Sequence, residues 1–381
     1  MSGKLWMAGL CCSGLLFGQF PAGGIPGPCT GQQAREYPGV WVKESDDVTE
    51  LAGNGLNTAQ RASILAKTDQ VLAILRKAYP TPRGVDVWHY RWAYRSRFKD
   101  LPVPMSTNLI FMQYRCYSEY RDTRQPRLVV EKNSDAWVQV EFNTLGQALG
   151  GELPDGYELP TGNAIYSSAV ELGPAFRGVP TLKSTIETNA TVLFLGRDDR
   201  LPLRPVTREE ILRVHAGYWR KRKQEEAEQL KKDLAGDQKL LAEHKRRAGE
   251  SEELFARNDA TFRERIERST TLLARASEDI VSLPQKIEAQ IAAMPQEQRQ
   301  SQAVIGPIDA GSYTDLQFGP SSISRPLWTM DGVLDRSLPR SAVHYMTVFW
   351  RRVPSSPSKE AAFNEFLEKV DFEALRTLLD R

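Results

Sequence analysis

The residues best suited by type and spacing to do chemistry lie in alternating stretches. Val85 to Tyr94 reads VDVWHYRWAY. Side chains along a β-strand point to opposite faces in turn, so His89, Arg91 and then Arg95 share one face. Trp88, Tyr90, Trp92 and Tyr94 share the other. Asn108 to Tyr120 (NLIFMQYRCYSEY) reads as a second strand, in which Arg115 and Glu119 alternate with Gln113. Ala136 to Phe142 sets Gln139 and Glu141 on one side. Paired as a meander, these strands would gather His89, Arg91, Arg95, Arg115 and Glu141 on one polar face. Guanidinium groups bond bidentately to anions, so that face could bind a carboxylate, a phosphate or a sugar. A Glu141/His89 pair could also transfer a proton. The same pattern equally describes an exposed face laced with cross-strand ion pairs. The four aromatics opposite read first as core, with a sugar-stacking platform as the other reading.

No established catalytic signature accompanies these residues. HExxH, GxSxG, a Walker loop and a GxGxxG after a strand are all missing. Ser356, Pro357, Ser358 and Lys359 match a bare SxxK without its partner motifs. Of the four histidines, His215 and His244 fall in a charged stretch and read as solvated, and His344 reads as a hydrogen-bonded core residue within an apolar strand. The acidic run Glu44, Asp46, Asp47 and Glu50 lacks the spacing of a calcium loop and reads as a solvated loop. No metal site and no cofactor are expected.

The elements that must position these groups follow from periodicity. Thr58 to Ala78 carries Ile64, Leu65, Val71, Leu72, Ile74 and Leu75 near a helical period, with Thr58 as cap and Pro80 and Pro82 as stop. Arg127 to Glu131 and Ala136 to Phe142 complete the meander around a turn at Asn133, Ser134 and Asp135. Residues 143–163 are glycine-rich and irregular, and 182–197 hold one or two more strands. At Pro205 the composition changes. Thr207 and Glu210 form a capping box, flanked by Val206 and Ile211 as a hydrophobic staple. From there to Gln300 charge is far denser than the 26% of the whole chain. Phe262, Ile266, Leu273, Ala276, Ile280, Leu283, Ile287, Ile291 and Met294 step by three and four along one seam, with Pro284 expected to break or kink it. Gly236 and Gly249 are further candidate interruptions. The outgoing segment is weaker, with Tyr218, then Leu230, Leu234 and Leu241. This predicts an antiparallel, partly coiled-coil hairpin over 207–300. Ala342 to Trp350 reads as a buried strand, and Ser358 as the cap of a final helix. One strand and one helix bury little alone, so residues 301–381 should complete the sheet of 38–206. The fold class is α+β, a mostly antiparallel sheet with packed helices and an inserted helical hairpin.

Composition and the N-terminus bound the setting. The 381 residues carry 50 Lys plus Arg and 48 Asp plus Glu, a net charge of +2, which gives no field for attracting nucleic acid. Residues 1–24 read as a secretory signal: Lys4, an uncharged stretch from Leu5 to Phe20, then Pro21, Ala22, Gly23 and Gly24. A retained anchor, the only membrane contact then expected, and a cytosolic chain are the other readings. Residues 25–37 read as a linker. Beyond the signal only Cys29 and Cys116 remain; they either pair, as export would allow, or stand as separate thiols with Cys116 packed in a strand. Asn189 to Thr191 matches a glycosylation sequon.

Two stretches, LRPVTREEILRVHAGYW before the hairpin and LDRSLPRSAVHYMTVFW near the C-terminus, resemble segments of uncharacterised exported bacterial proteins. The resemblance implies a bacterial, exported origin and carries no functional residue. Three readings follow. The first is an exported, periplasmic or extracellular, non-enzymatic protein that binds a partner through the hairpin or the polar sheet face. The second is an envelope-associated hydrolase, in which His89 or His344 meets a carboxylate. The third is an assembly protein that dimerises through residues 207–300.

Overall fold

In the computed structural model of the chain, the residues described are 29–380 apart from 97–100, 118–126, 132, 146–148, 150, 155, 184–189, 199–200, 202, 248–251, 307–315, 317, 320–323 and 333. Residues 1–24, Glu119, Asn189 and Gly249 therefore lie outside it. The fold is α+β. A nine-stranded sheet has the order β1-β2-β3-β5-β13-β9-β8-β7, with β4 also on β3. Its strands are β1 (Trp41–Lys43), β2 (Val85–Ala93), β3 (Met105–Tyr117), β4 (Arg127–Val130), β5 (Trp137–Phe142), β7 (Glu171–Phe176), β8 (Val179–Lys183), β9 (Ala190–Leu195) and β13 (Met346–Arg351). All pairings are antiparallel except β1 with β2. The meander is not simple, because β4 and β5 each pair with β3 and not with one another.

Sequence explains the central position of β13. Every residue from Ser341 to Trp350 is buried, as a strand covered on both faces requires. It lies between β5 and β9, so this late segment sits in the middle of a sheet begun some 300 residues earlier, at β1. His344 precedes β13 rather than lying within it. Its backbone N–H donates to Asn143 Oδ1 at 2.9 Å, and its Nδ1 accepts from the Asp335 N–H at 3.0 Å.

One face of the sheet carries helices. These are α3 (Thr58–Ala78), α7 (Pro357–Lys369) and α8 (Phe372–Arg376). Ile64, Val71 and Leu75 of α3, and Phe363 and Phe366 of α7, pack on Val85, Val87, Leu109, Phe111, Val138 and Val348. The Phe366 and Phe363 rings sit 5.5 and 4.8 Å from that of Phe111. The caps lie one or two residues outside the expected ones. Asn57, in a capping box with Gln60, starts α3, and Ser356 starts α7, because each sits in extended backbone just before the first turn. Residues 30–36, expected as linker, form a short capped helix, α1 (Gly31–Glu36), with Ala34 buried, and a second short helix, α2 (Glu50–Gly53), follows β1. A disulfide joins Cys29 to Cys116 at a Cα separation of 5.6 Å, which ties the α1 segment to β3. Gly84, at φ +70°, lets the chain before β2 pass Arg35, whose carbonyl oxygen would lie 2.6 Å from any Cβ there.

The opposite face is covered in part by a small second sheet, β10 (Leu203–Pro205), β12 (Arg325–Met330), β11 (Val304–Ile305) and β6 (Ile165–Ser167). Tyr166 and Met330 pack from it onto Leu182, Phe194 and Phe349 of the large sheet. The helical insertion grows from this layer. β10 leads out and β11 leads back, and both pair with β12. Thr207 bridges Gln302 where the insertion closes.

The insertion is α4 (Arg208–Arg247) and α5 (Glu252–Ala293), an antiparallel pair about 60 Å long at 1.5 Å per residue, followed by the short α6 (Gln296–Gln300). The capping box forms in both directions: Glu210 N–H donates to Thr207 Oγ1 at 3.2 Å, and Thr207 N–H to Glu210 Oε2 at 2.8 Å. Val206 and Ile211 are both fully buried beside it. Thr207→Ala should cost about 1 kcal/mol, read as a lower urea midpoint with unchanged slope. Neither Gly236 nor Pro284 ends a helix; Leu283 and Ile287, buried on either side of Pro284, hold α5 against α4. The α4 seam is richer than the apolar count implied. It uses Leu212, Ala216, Trp219 and Ala227, and it includes charges: Lys223 lies 3.3 Å from Asp279, and Asp237, 4% exposed, lies 2.6 Å from Arg265. Such partly buried polar pairs across a seam fix register more than they add stability. The hairpin histidines, expected in solvent, are not there. His215 is buried with Nδ1 2.7 Å from the Tyr157 hydroxyl, and His244 packs edge-on to Phe262.

Candidate functional site

The alternation in β2 holds, but the two faces are covered the other way round. Val85, Val87 and Ala93 share the face of His89 and belong to the helix-covered core. His89 thus points toward the helices and not toward a polar surface. Its Nε2 lies 2.8 Å from Arg76 Nη2 of α3, and its ring is 6.1 Å from Trp41. Burial, with the Arg76 charge behind it, pushes the imidazole down to about 4, so it is neutral and accepts the Arg76 N–H. Arg91 is neutralised there too. Its Nε and Nη2 donate to Asp46 Oδ2 at 3.0 and 2.6 Å, and Nη1 to Asp69 of α3 at 2.9 Å. Asp46, expected in a solvated loop, is the structural anion of that pair. Burial raises its carboxyl, but Arg91 outweighs this and leaves it below the usual range. Arg115 is exposed at the end of β3 opposite Val129. His89, Arg91 and Arg115 therefore do not assemble with Glu141. Glu141 lies on the other face of the sheet, and no His89/Glu141 pair exists.

What does assemble around Glu141 is read from the strand register. Trp92, Ser106, Glu141 and Thr347 form one cross-strand row; Tyr90, Asn108, Gln139 and Phe349 form the next; Trp88, Ile110, Trp137 and Arg351 form a third. Ser106, Asn108, Gln139, Glu141 and Thr347 are all buried. They satisfy one another. Asn108 Nδ2 donates to Ser106 Oγ at 2.9 Å, and Gln139 Nε2 to the Tyr94 hydroxyl at 2.6 Å. Glu141 Oε1 accepts from Tyr94 and from Gln139, both at 3.1 Å, and Oε2 accepts from Thr347 at 3.3 Å. Burial pushes the Glu141 carboxyl up to about 7, against hydrogen bonds from Tyr94 and Thr347 that favour the anion. The Tyr94 hydroxyl is raised too, first by burial and then by the neighbouring Glu141.

Two members of this network, Tyr94 and Glu141, reach a cleft of about 260 Å³. Tyr94 and Glu141 line it from the large sheet, Tyr166 and Met330 from the small one, and Glu152 and Asn163 from the irregular segment between β5 and β6. Arg95, the one expected cation that does reach this place, is exposed and lines it as well. Asn143, just past the end of β5, also lines it and is a non-glycine residue at φ 56°. Its side chain donates to the Ala342 carbonyl at 2.8 Å and accepts from His344 N–H, clamping the end of β5 to the approach to β13. Chemically the cleft offers a carboxyl that is uncharged over much of the range below neutrality, hydroxyl and amide groups, and aromatic faces. Among the described residues no group of three or more His, Cys, Asp or Glu is placed to hold a metal ion.

Sequence reasoning selected Arg95 and set Gln139 beside Glu141, but it put Tyr94 on the opposite face and did not single out Asn108, Ser106 or Thr347. Their signal was the run of polar residues at alternate positions in otherwise apolar strands. The SxxK residues also have structural roles here: Lys359 is buried 2.7 Å from Glu131 and 3.3 Å from Asp135, and Ser356 caps α7. No family model, curated protein or solved structure matches this chain.

Proposed function

We propose that the chain is an exported, non-enzymatic protein that holds its partner on the polar sheet face, in the cleft at Glu141, and not along the hairpin. The observation that carries this reading is the cleft itself, a concave site with several converging polar groups and a strongly perturbed carboxyl. The hairpin offers less. A docking arm needs a continuous apolar strip, whereas its seam residues are spent on holding α4 to α5. Among the described residues its large exposed apolar side chains, Leu240, Leu272 and Val281, are scattered. The Cys29–Cys116 disulfide supports an oxidising compartment, and no described helix is long and apolar enough to cross a membrane. The hydrolase reading has one point in its favour: Glu141 and Glu152 line the same cleft. Against it, both Glu141 oxygens are already engaged within the sheet.

The test is a thermal-shift panel of neutral, anionic and peptidic compounds on the full chain and on an Ala164→Trp variant, which fills the cleft. A ligand that raises Tm by several degrees in the parent but not in the variant is the expected result. Equal shifts in both proteins, or no shift with any class, would overturn the reading.

A further inference from the structure

Taking the cleft reading as given, we infer that its ligand is a neutral oligosaccharide, lying along β2 across Trp88, Tyr90 and Trp92 and entering the cleft beside Tyr94. The four aromatics alternate on one strand and so share one face, which the helix layer does not cover. Trp92 is 44% exposed, and Trp88 and Tyr90 are half-buried. At about 3.4 Å per residue, Trp88 and Trp92 are about 14 Å apart along the strand. That is room for more than one sugar ring. The strip runs directly into the site, because Trp92 sits in the same cross-strand row as Ser106 and Glu141, and Tyr94 both lines the cleft and bonds Glu141.

The chemistry selects the class. Aromatic faces favour a flat ligand with an apolar C–H surface. The cleft they lead into is lined by Ser96, Thr144 and Asn163, hydroxyls and an amide that both donate and accept, as hydroxyl-rich ligands require. Charge argues against an ionic polymer. Arg351 in the third row and Glu152 in the cleft already have partners, and His89 and Arg91 face away. Among the described residues that line the cleft, Arg95 is the one cation, too little for a phosphate backbone or an acidic glycan.

The experiment is tryptophan-fluorescence titration of the full chain with cellohexaose and chitohexaose, and with a hexagalacturonate as the anionic counterpart. The expected result is saturable binding of a neutral hexasaccharide that Trp92→Ala weakens at least 10-fold and Trp92→Phe by less than about 3-fold. Trp92 is a surface residue, and far-UV circular dichroism would verify the fold. Binding unaffected by Trp92→Ala, or tighter binding of the anionic sugar, would overturn the inference. If neither neutral hexasaccharide binds while another class still shifts the parent but not Ala164→Trp, the saccharide assignment fails and the cleft reading stands. If nothing discriminates the two proteins, both fail.

Discussion

Glu141→Gln should make the protein more resistant to urea at pH 8 than the parent, and the advantage should shrink toward pH 4.5. The buried carboxyl titrates at about 7 in the folded chain, above its ordinary value. The native state therefore holds a proton that the unfolded chain has released, and stability declines as pH rises through that interval. A shift of this size corresponds to something on the order of 3 kcal/mol. His89 works in the opposite sense. Its folded value, about 4, lies below the ordinary imidazole, so its contribution is present above about 6.5 and is lost as pH falls toward 4. Over pH 4.5–6.5 the two slopes oppose one another, so the parent should look nearly flat there. Glu141→Gln should unmask the rising slope of His89. A variant whose urea midpoint tracks the parent at every pH would show that the carboxyl is not buried as described.

Cys116→Ser is the second large effect. The bond closes a loop over a sequence separation of 87 residues. Chain entropy alone assigns such a loop about 4–5 kcal/mol, and measured losses commonly run nearer 2–4 kcal/mol. We expect a loss of about 3 kcal/mol, with Cys29→Ser equal to it and the double variant no worse than either. Additive losses would mean that the thiols act independently. Hydrogen exchange should show the amides of α1 opening first, because Thr30 to Glu36 is held to the sheet by little besides Ala34 and the bond.

The sequence disclosed the elements more readily than their covering. The 21-residue helix at Thr58–Ala78, the β2 strand and the Thr207/Glu210 cap are local signals, and they lie where periodicity and capping chemistry place them. Which face of β2 meets the helices is a tertiary fact. Four aromatics outweigh Val85, Val87 and Ala93 in any hydrophobic count, yet the smaller side chains pack α3 and α7, while Trp92 remains outside. The partners that neutralise Arg91, Asp46 and Asp69, come from separate elements, so nothing near Arg91 in sequence could reveal that it was already taken. The hairpin seam was half legible for the same reason. Lys223 and Asp237 look like solvent residues until the facing helix supplies Asp279 and Arg265.

The position of β13 bears on how the chain acquires its fold. The strand at the middle of the sheet is made from residues 346–351, so β5 and β9 cannot be joined until those residues have been made. Until then the half-sheets present open edges to any other extended chain. The helical insertion eases the delay. Its contacts are local, so it can form within microseconds to milliseconds of emerging. Once formed, it brings Thr207 back beside Gln302, so more than 90 residues of separation no longer count in the loop that β13 must close. Late closure also means that the sheet stays incomplete, and the chain threadable, until more than 150 residues beyond β9 have been made.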